Sequence, residues 1–272
     1  MSVTFDFTGQ VILVTGGASG LGFAISRAFG KAGATVALND LSSERIEAAV
    51  RELSGDGITC RGFAADVRDA EAVHRMVGQV VDGLGIPSVT VANAGIYPNT
   101  PFLEVTEEEW NHVLDTNLKG MFLICQTVAR ALVSKGQTGQ MVTIASGAAT
   151  TAFHGWSHYC TSKAAVVMLT RAMAMELGKH GIRVNSVLPG YIDVLEGGAH
   201  LDESYKRAAR AANPSGRPGE PADIANAVLM LASPLASYMN GSAVTVDGGA
   251  GAGRMGVFPK TWGNEGVRET KP

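Results

Sequence analysis

The sequence predicts an α/β fold: a doubly wound parallel sheet of about seven strands, covered by helices on both faces, in a single domain. Three observations lead there. From Gln10 onward short β-rich runs alternate with longer helical patterns. Those runs are apolar almost throughout instead of alternating, which is the pattern of parallel strands buried on both faces. The chain has 272 residues, 46% of them hydrophobic, a size at which an α/β fold forms one domain around a sizeable core.

Taken in order, QVILVT opens the first strand, and the turn TGGASGLG leads into a helix from about Leu21 to Ala32. ATVALN is the second strand and LSSERIEAAVREL the second helix. ITCRGFAAD, SVTVANAG, QMVTIAS, IRVNSVLPG and SAVTVDGG follow as further buried strands, with helical stretches of βαβ crossover length between them. No repeat, low-complexity tract or linker divides residues 1–249, which are expected to form a single domain. Residues 250–272, AGAGRMGVFPKTWGNEGVRETKP, lack periodicity and are expected to be a C-terminal extension.

Composition narrows the function. A net charge of -3 with 17% charged residues gives none of the basic excess of a nucleic-acid binder. The start MSVTFDFTGQ has no basic and apolar leader, and no apolar run reaches the ~18 residues that cross a bilayer. A soluble protein of the cytoplasm is expected. Cys60, Cys125 and Cys160 have no CxxC spacing, so neither a disulfide framework nor a metal site is expected.

The first chemical signal is TGGASGLG, where Thr15, Gly16, Gly20 and Gly22 punctuate a strand-to-helix turn. Glycine there lets backbone N–H groups approach a pyrophosphate at a helix N-terminus. Its spacing is GxxxGxG, and alone it is also compatible with a plain tight turn. Asp40 ends the second strand 18 positions after Gly22, near the ~20-residue interval at which a carboxylate meets the adenine ribose hydroxyls. The competing readings of Asp40 are a helix N-cap and a solvated loop acid. A carboxylate ~4 Å from a 2′-phosphate repels it by roughly 4 kcal/mol at an effective dielectric near 20. Leu41, Gly17 and Ala18 offer no compensating cation, and Arg45 lies a turn further into the helix, so NAD is the expected cofactor.

The second signal is YCTSK, in which Tyr159 and Lys163 stand at i and i+4 and share a helix face. A phenol and an ammonium so placed are either surface decoration or a catalytic pair.

These segments together resemble the short-chain dehydrogenase/reductase family in its shorter, single-domain type, from about Phe7 to Gly249, which implies that residues 1–249 form a Rossmann-like NAD-binding and catalytic domain. TGGASGLG resembles its cofactor turn, with contacts implied for Thr15, Gly16, Ser19, Gly20, Leu21 and Gly22, followed by Asp40 and Leu41. Asp66-Val67 is similar to its adenine-contacting pair and Asn93-Ala94-Gly95 to its NAG motif. Asn117 in LDTNLKG, Ser146 in TIASGAA, and Tyr159 with Lys163 match its catalytic positions. Pro189-Gly190 and the run GRPGEPADIANAVLMLAS leading to VTVDGG complete the resemblance. One departure is Val194, where relatives often carry Thr or Ser on the nicotinamide side, leaving the backbone of Ile192 as the anchor.

The implied reaction is hydride transfer between a secondary alcohol and NAD. Bringing a phenol from pKa ~10 to ~7 requires roughly 4 kcal/mol, about what one ammonium ~4 Å away supplies at an effective dielectric near 20. Lys163 is therefore expected to activate Tyr159 as general base, and in relatives the lysine also binds the nicotinamide ribose. Ser146 is expected to donate to the substrate oxygen. Asn117 matches the asparagine that holds a relay water; the competing reading is a polar group distorting a helix. Ser157 is read as a helix N-cap and Ser162 as a packing residue. His154, Trp156, Tyr97 and Tyr191 are the expected substrate-pocket residues, suited to a sugar, polyol or cyclic alcohol. Residues 195–216 resemble the family's substrate lid, whose Lys206, Arg207 and Arg210 face either an anionic substrate or solvent.

Relatives are commonly tetramers, so a homotetramer is expected. Met255, Val257, Phe258 and Trp262 form an apolar cluster expected to reach the rim of a neighbouring subunit's pocket. Two other readings stay open: an epimerase or dehydratase using bound NAD, and a non-catalytic dinucleotide sensor on the same scaffold.

Overall fold

The computed structural model describes residues 4–194, 203–211 and 213–253. The seven strands are β1 (Val11–Thr15), β2 (Thr35–Asp40), β3 (Cys60–Ala64), β4 (Val89–Ala92), β5 (Gly139–Ile144), β6 (Ile182–Pro189) and β7 (Ala243–Val246). They form one sheet in the order β3-β2-β1-β4-β5-β6-β7, and every pairing is parallel. The helices are α1 (Gly20–Lys31), α2 (Ser43–Gly55), α3 (Ala70–Leu84), α4 (Glu107–Leu114), α5 (Gly120–Ser134), α6 (Ser157–Leu177), α7 (Glu203–Ala211) and α8 (Pro221–Ala232).

The unbroken apolar runs have a direct cause in this layering. Successive strand residues point to opposite faces, and each face has its own core. Ile12, Val14, Val36 and Leu38 pack with Ile25 and Phe29 of α1 and with Ile224 and Val228 of α8. Leu13, Ala37, Met141 and Val184 pack on the other face with Val73 and Val77 of α3, Ile124 and Val128 of α5, and Val166 of α6. Phe29 is fully buried and meets the Phe7 ring edge-on at 4.9 Å, so truncating it to alanine would cost about 3–5 kcal/mol.

Two features position the site. Strand order reverses between β1 and β4, which opens a crevice at the carboxyl ends of the strands, where ligands of such sheets bind. Between α4 and α5 the chain makes a π-turn over Asp115–Lys119 that carries Asn117, a local widening common at functional sites. Asn117 thus sits in the helix distortion that its residue type suggested. The start of α6 differs from expectation, because Trp156, not Ser157, is its N-cap residue. Among the described residues no helix is long and apolar enough to cross a membrane.

Candidate active site

A cavity of about 1120 Å³ fills the crevice. Its floor is the turn after β1, where Gly16, Ser19, Gly20, Leu21 and Gly22 line it. Gly22 has to be glycine: a Cβ there would lie 2.0 Å from the Gly16 carbonyl oxygen. Ser19, the N-cap residue of α1, makes no side-chain capping bond, and the first turn of α1 has no acidic residue. The free N–H groups and the positive helix end are thus available to a pyrophosphate. Thr15 serves differently from the expectation of a cofactor contact. It is buried, and its hydroxyl accepts the backbone N–H of Asn93 at 3.0 Å and of Ala94 at 3.1 Å. The Asn93 amide returns a bond to the Thr15 carbonyl at 2.9 Å. Thr15 and Asn93 lock the ends of β1 and β4 together, while Asn93, Ala94 and Gly95 reach the cavity wall.

At the β2 end Asp40, Leu41, Asp66 and Val67 line the cavity as expected, joined by Arg45, Arg68 and His112. The Arg45 guanidinium sits 2.6 Å from Asp40 Oδ1, so the absence of a cation inferred from the local sequence does not hold in three dimensions. Helix α2 turns its first residues back over the end of β2. The Ser42 N–H, Arg45 Nε and Arg45 Nη2 all donate to Oδ1, and among the described residues none donates to Oδ2. Arg68 chelates the Asp66 carboxylate through Nε and Nη2, which holds that carboxyl below the ordinary range. Its Nη1 also reaches the His112 ring.

The opposite end gathers the predicted catalytic side chains. Ser146, Tyr159 and Lys163 all line the cavity. Lys163 Nζ lies 5.7 Å from the Tyr159 ring centre and donates to the Ile144 carbonyl at 2.8 Å. It is 5% exposed, and burial pushes its pKa down to about 8. The backbone at Gly95 admits both Lys163 and Asn117: a Cβ there would sit 3.5 Å from Nζ and 3.1 Å from Asn117 Oδ1. Asn117 is buried and does not line the cavity. Its amide accepts the Ile96 N–H at 2.8 Å and donates to the Ile96 carbonyl at 2.9 Å and to Ser162 Oγ at 3.1 Å.

Around this end stand Tyr97, Trp156, Tyr191, Phe153, Thr150, Thr151 and Asn213. Trp156 Nε1 donates to the Tyr97 carbonyl at 3.1 Å, tying the loop after β4 to the loop before α6, and the Tyr97 and Tyr159 ring centres are 5.9 Å apart. His154 is a correction. It is exposed and outside the cavity lining, because Gly155 turns the chain at φ +79 and the His154 backbone is held by the Asn99 amide. Pro189, Gly190, Ile192 and Val194 form a further wall, where Ile192 bridges to Gly219. Arg210 pairs with Asp193 at 2.9 Å and so is not turned to a ligand in the cavity; the side chain of Lys206 lies outside the described residues. The expected apolar cluster at Met255, Val257, Phe258 and Trp262 also lies outside them. Ala250, Gly251 and Ala252, where the extension begins, line the cavity of their own chain. Among the described residues no cluster of His, Cys, Asp and Glu is arranged to hold a metal.

Comparison with known proteins agrees with this geometry. Residues 16–251 match the family model described as enoyl-(acyl carrier protein) reductase. The chain is 39% identical to a D-threitol dehydrogenase of Mycolicibacterium smegmatis over 92% of this chain and 96% of that protein. It is 35% identical to a 5-keto-D-gluconate 5-reductase of Escherichia coli K12, over 92% and 98%, and 40% identical to a rat (3R)-3-hydroxyacyl-CoA dehydrogenase, over 87% and 94%. A crystal structure of a short-chain type dehydrogenase/reductase from Mycobacterium marinum superposes with a TM-score of 0.84 at 39% identity, covering 92% of this chain and 99% of that one. The Asn, Ser, Tyr and Lys set, the glycine turn at a reversal of strand order and this similarity have one reading: the chain belongs to the short-chain dehydrogenase/reductase family and is an oxidoreductase of secondary alcohols and ketones.

Proposed function

We propose that the protein oxidises a neutral, hydroxyl-rich secondary alcohol, a polyol or sugar, with NAD, and catalyses the reverse reduction, Tyr159 acting as general base in one direction and general acid in the other. The observation that carries the reading is the pairing of Tyr159 with a buried, charged Lys163 on the cavity wall. Nζ stands 5.7 Å from the ring centre, and at an effective dielectric near 20 a positive charge roughly 4–6 Å from the phenolate favours it by about 3–4 kcal/mol, two to three pH units. Ser146, on the same wall, is suited to donate to the substrate oxygen as charge develops there. The side-chain amide of Asn117 is committed to Ile96 and Ser162, so a relay water at this residue falls to its backbone carbonyl.

The residues present fit a nicotinamide dinucleotide: the glycine cradle at Gly22, the uncapped start of α1 and the carboxylate oxygen left open on Asp40. When bound, its nicotinamide ring supplies the hydride acceptor. Asp40 supports NAD over NADP, since Oδ2 can accept a ribose hydroxyl, whereas a 2′-phosphate meets its charge. Arg45, already engaged by Oδ1, softens that repulsion without removing it.

Substrate charge is the second discriminator. The polar groups lining the cavity near Tyr159 are hydroxyls, an amide and the aromatic rings, set beside an apolar wall that includes Ile192 and Val194. Among the described residues there, Lys163 is the one cation, because Arg45 and Arg68 are paired at the opposite end. The described acid, Asp247, accepts the Gly249 and Gly251 N–H groups. This supports an uncharged substrate of the threitol type over a sugar acid or a coenzyme A thioester. Three unpaired thiols suit the cytoplasm. Exposed Phe122, Met168 and Met175 on α5 and α6 support a homotetramer, which sedimentation would test. The function is tested by NAD and NADP reduction across threitol, erythritol, xylitol, gluconate and 3-hydroxybutyryl-CoA. We expect NAD reduction with the neutral polyols at the largest kcat/KM. Preference for gluconate or the thioester overturns the substrate class, and preference for NADP overturns the reading of Asp40.

A further inference from the structure

We propose that Glu109 and His158 are positioning residues: a carboxylate–imidazole pair that holds the main-chain N–H of Tyr159 and thereby fixes where its phenol enters the cavity. The inference rests on the assignment of Tyr159 as the acid and base.

The start of α6 is unusual in a way that falls on the reacting residue. First-turn N–H groups of a helix have no carbonyl partner within it, and a Ser, Thr, Asn or Asp side chain at the N-cap commonly accepts the N–H two or three positions on. Here the N-cap is Trp156 and makes no such bond; its indole is a donor, given to the Tyr97 carbonyl. Since α6 begins at Ser157, the third N–H of the helix belongs to Tyr159. His158 takes the role of the missing cap, with Nδ1 accepting the Tyr159 N–H at 2.9 Å.

An imidazole nitrogen accepts only when it carries no proton, so the tautomer is fixed with hydrogen on Nε2. That hydrogen is donated to Glu109 Oε1 at 2.8 Å. The His158 side chain is 0% exposed, so solvent offers no substitute partner. Glu109 is kept an ionised acceptor by hydrogen bonds from Thr100 and His158, which hold its carboxyl below the ordinary range.

The other end of the same residue is held in parallel. Ser162 Oγ donates to the Tyr159 carbonyl at 2.7 Å and accepts from Asn117 Nδ2 at 3.1 Å. Glu109 lies in α4 and Asn117 in the π-turn that continues it. Both main-chain polar groups of Tyr159 are therefore tied, each through one side chain, to the single segment 107–119. That segment and α6 form a clamp on the backbone of the residue whose oxygen must meet substrate, in a reaction where misplacement by ~1 Å costs about 100-fold.

The test compares four variants by steady-state kinetics, NADH binding by fluorescence, and thermal melting. Glu109→Gln keeps an acceptor for Nε2–H and should retain kcat within ~3-fold. His158→Asn puts an amide oxygen at the place of Nδ1, keeps the cap, and should also retain most of kcat. Glu109→Ala and His158→Leu remove the link and the cap, and should lower kcat roughly 10- to 100-fold with NADH affinity and alcohol KM within ~3-fold. Nitrogen-15 NMR of the histidines in the wild-type protein should find His158 protonated at Nε2 alone, and the Tyr159 amide should exchange faster in Glu109→Ala. The proposal is overturned if Glu109→Ala turns over within twofold of wild type, if His158→Asn and His158→Leu are equally impaired at equal folded fraction, or if Nδ1 carries the proton. Should His158→Leu not fold, Glu109→Ala, altered at a partly exposed side chain, carries the kinetic test. Activity surviving in Tyr159→Phe would sink the parent reading instead, and the NMR result would stand apart from it.

Discussion

Replacing Lys163 with methionine separates what the buried charge does for catalysis from what it costs the fold. Burial takes the amine from its ordinary 10.5 to about 8, and at ~1.4 kcal/mol per pH unit the charged form is disfavoured by roughly 3 kcal/mol in the native state. A base whose pKa falls on folding binds its proton more weakly when folded. Between about pH 8 and 10.5 the unfolded chain therefore carries the extra proton, and stability rises with pH; below pH 8 both states are protonated and the penalty is complete. Methionine has similar length and no charge, but it leaves the Ile144 carbonyl without the bond it now receives at 2.8 Å, a loss of about 1–3 kcal/mol. At pH 7 the net effect on the cofactor-free protein is a gain of about 1 kcal/mol in stability, together with loss of turnover. The sharper quantity is the change with pH, because every other titrating group is common to both proteins. Urea denaturation at pH 7 and pH 9.5 should show wild type gaining about 2 kcal/mol on the variant. Parallel pH dependence of the two proteins would refute a Lys163 that titrates near 8. Turnover by the variant at a tenth of the wild-type rate or more would refute its part in activating Tyr159.

Tyr159→Phe should abolish turnover and leave NADH binding within a few-fold, since it removes a proton and little contact area; stopped-flow hydride transfer and fluorescence titration read the two separately. Asp40→Ala with Leu41→Arg should raise kcat/KM for NADP relative to NAD by roughly two to three orders of magnitude, from removing one repulsive pair and adding one attractive pair, each worth up to ~4 kcal/mol before screening. Arg45→Ala alone should move the same ratio toward NAD by several-fold, because the cation 2.6 Å from Asp40 is lost; a shift toward NADP would mean that Arg45 acts only as a brace for the carboxylate. Truncation after Gly251 removes Ala252 from the cavity wall and should raise KM for the alcohol several-fold with KM for NAD little changed; unchanged kinetics, melting and sedimentation would make the extension an appendage.

What the sequence made legible, and what it hid, divides by the range of the interaction. The strands were readable because a parallel strand covered on both faces must be apolar at consecutive positions, and Ile12, Leu13 and Val14 serve alternate cores. The glycine turn was readable because its constraint is local: Gly22 lies against the Gly16 carbonyl six residues away. Arg45 is five residues from Asp40 along the chain, yet a helix that starts at Ser43 turns its third residue back over the end of the preceding strand. His154 stands beside aromatic residues in the sequence, yet the left-handed turn at Gly155 leaves it in solvent. His158, four positions on and next to the tyrosine, belongs to no motif. A signal for it did exist. Trp156 at a helix start has no acceptor to give, the Ser157 hydroxyl at the first helical position is buried without a hydrogen-bond partner, and an imidazole able to accept stands at the second. Its partner Glu109 stands 49 residues earlier in the chain, as do the ties from Asn117 to Ser162 at 45 and from Thr15 to Asn93 at 78. A motif records which groups the chemistry needs. The pairs that hold those groups still are made across the fold, between elements that the sequence lists far apart, and the strand-order reversal brings them to one crevice.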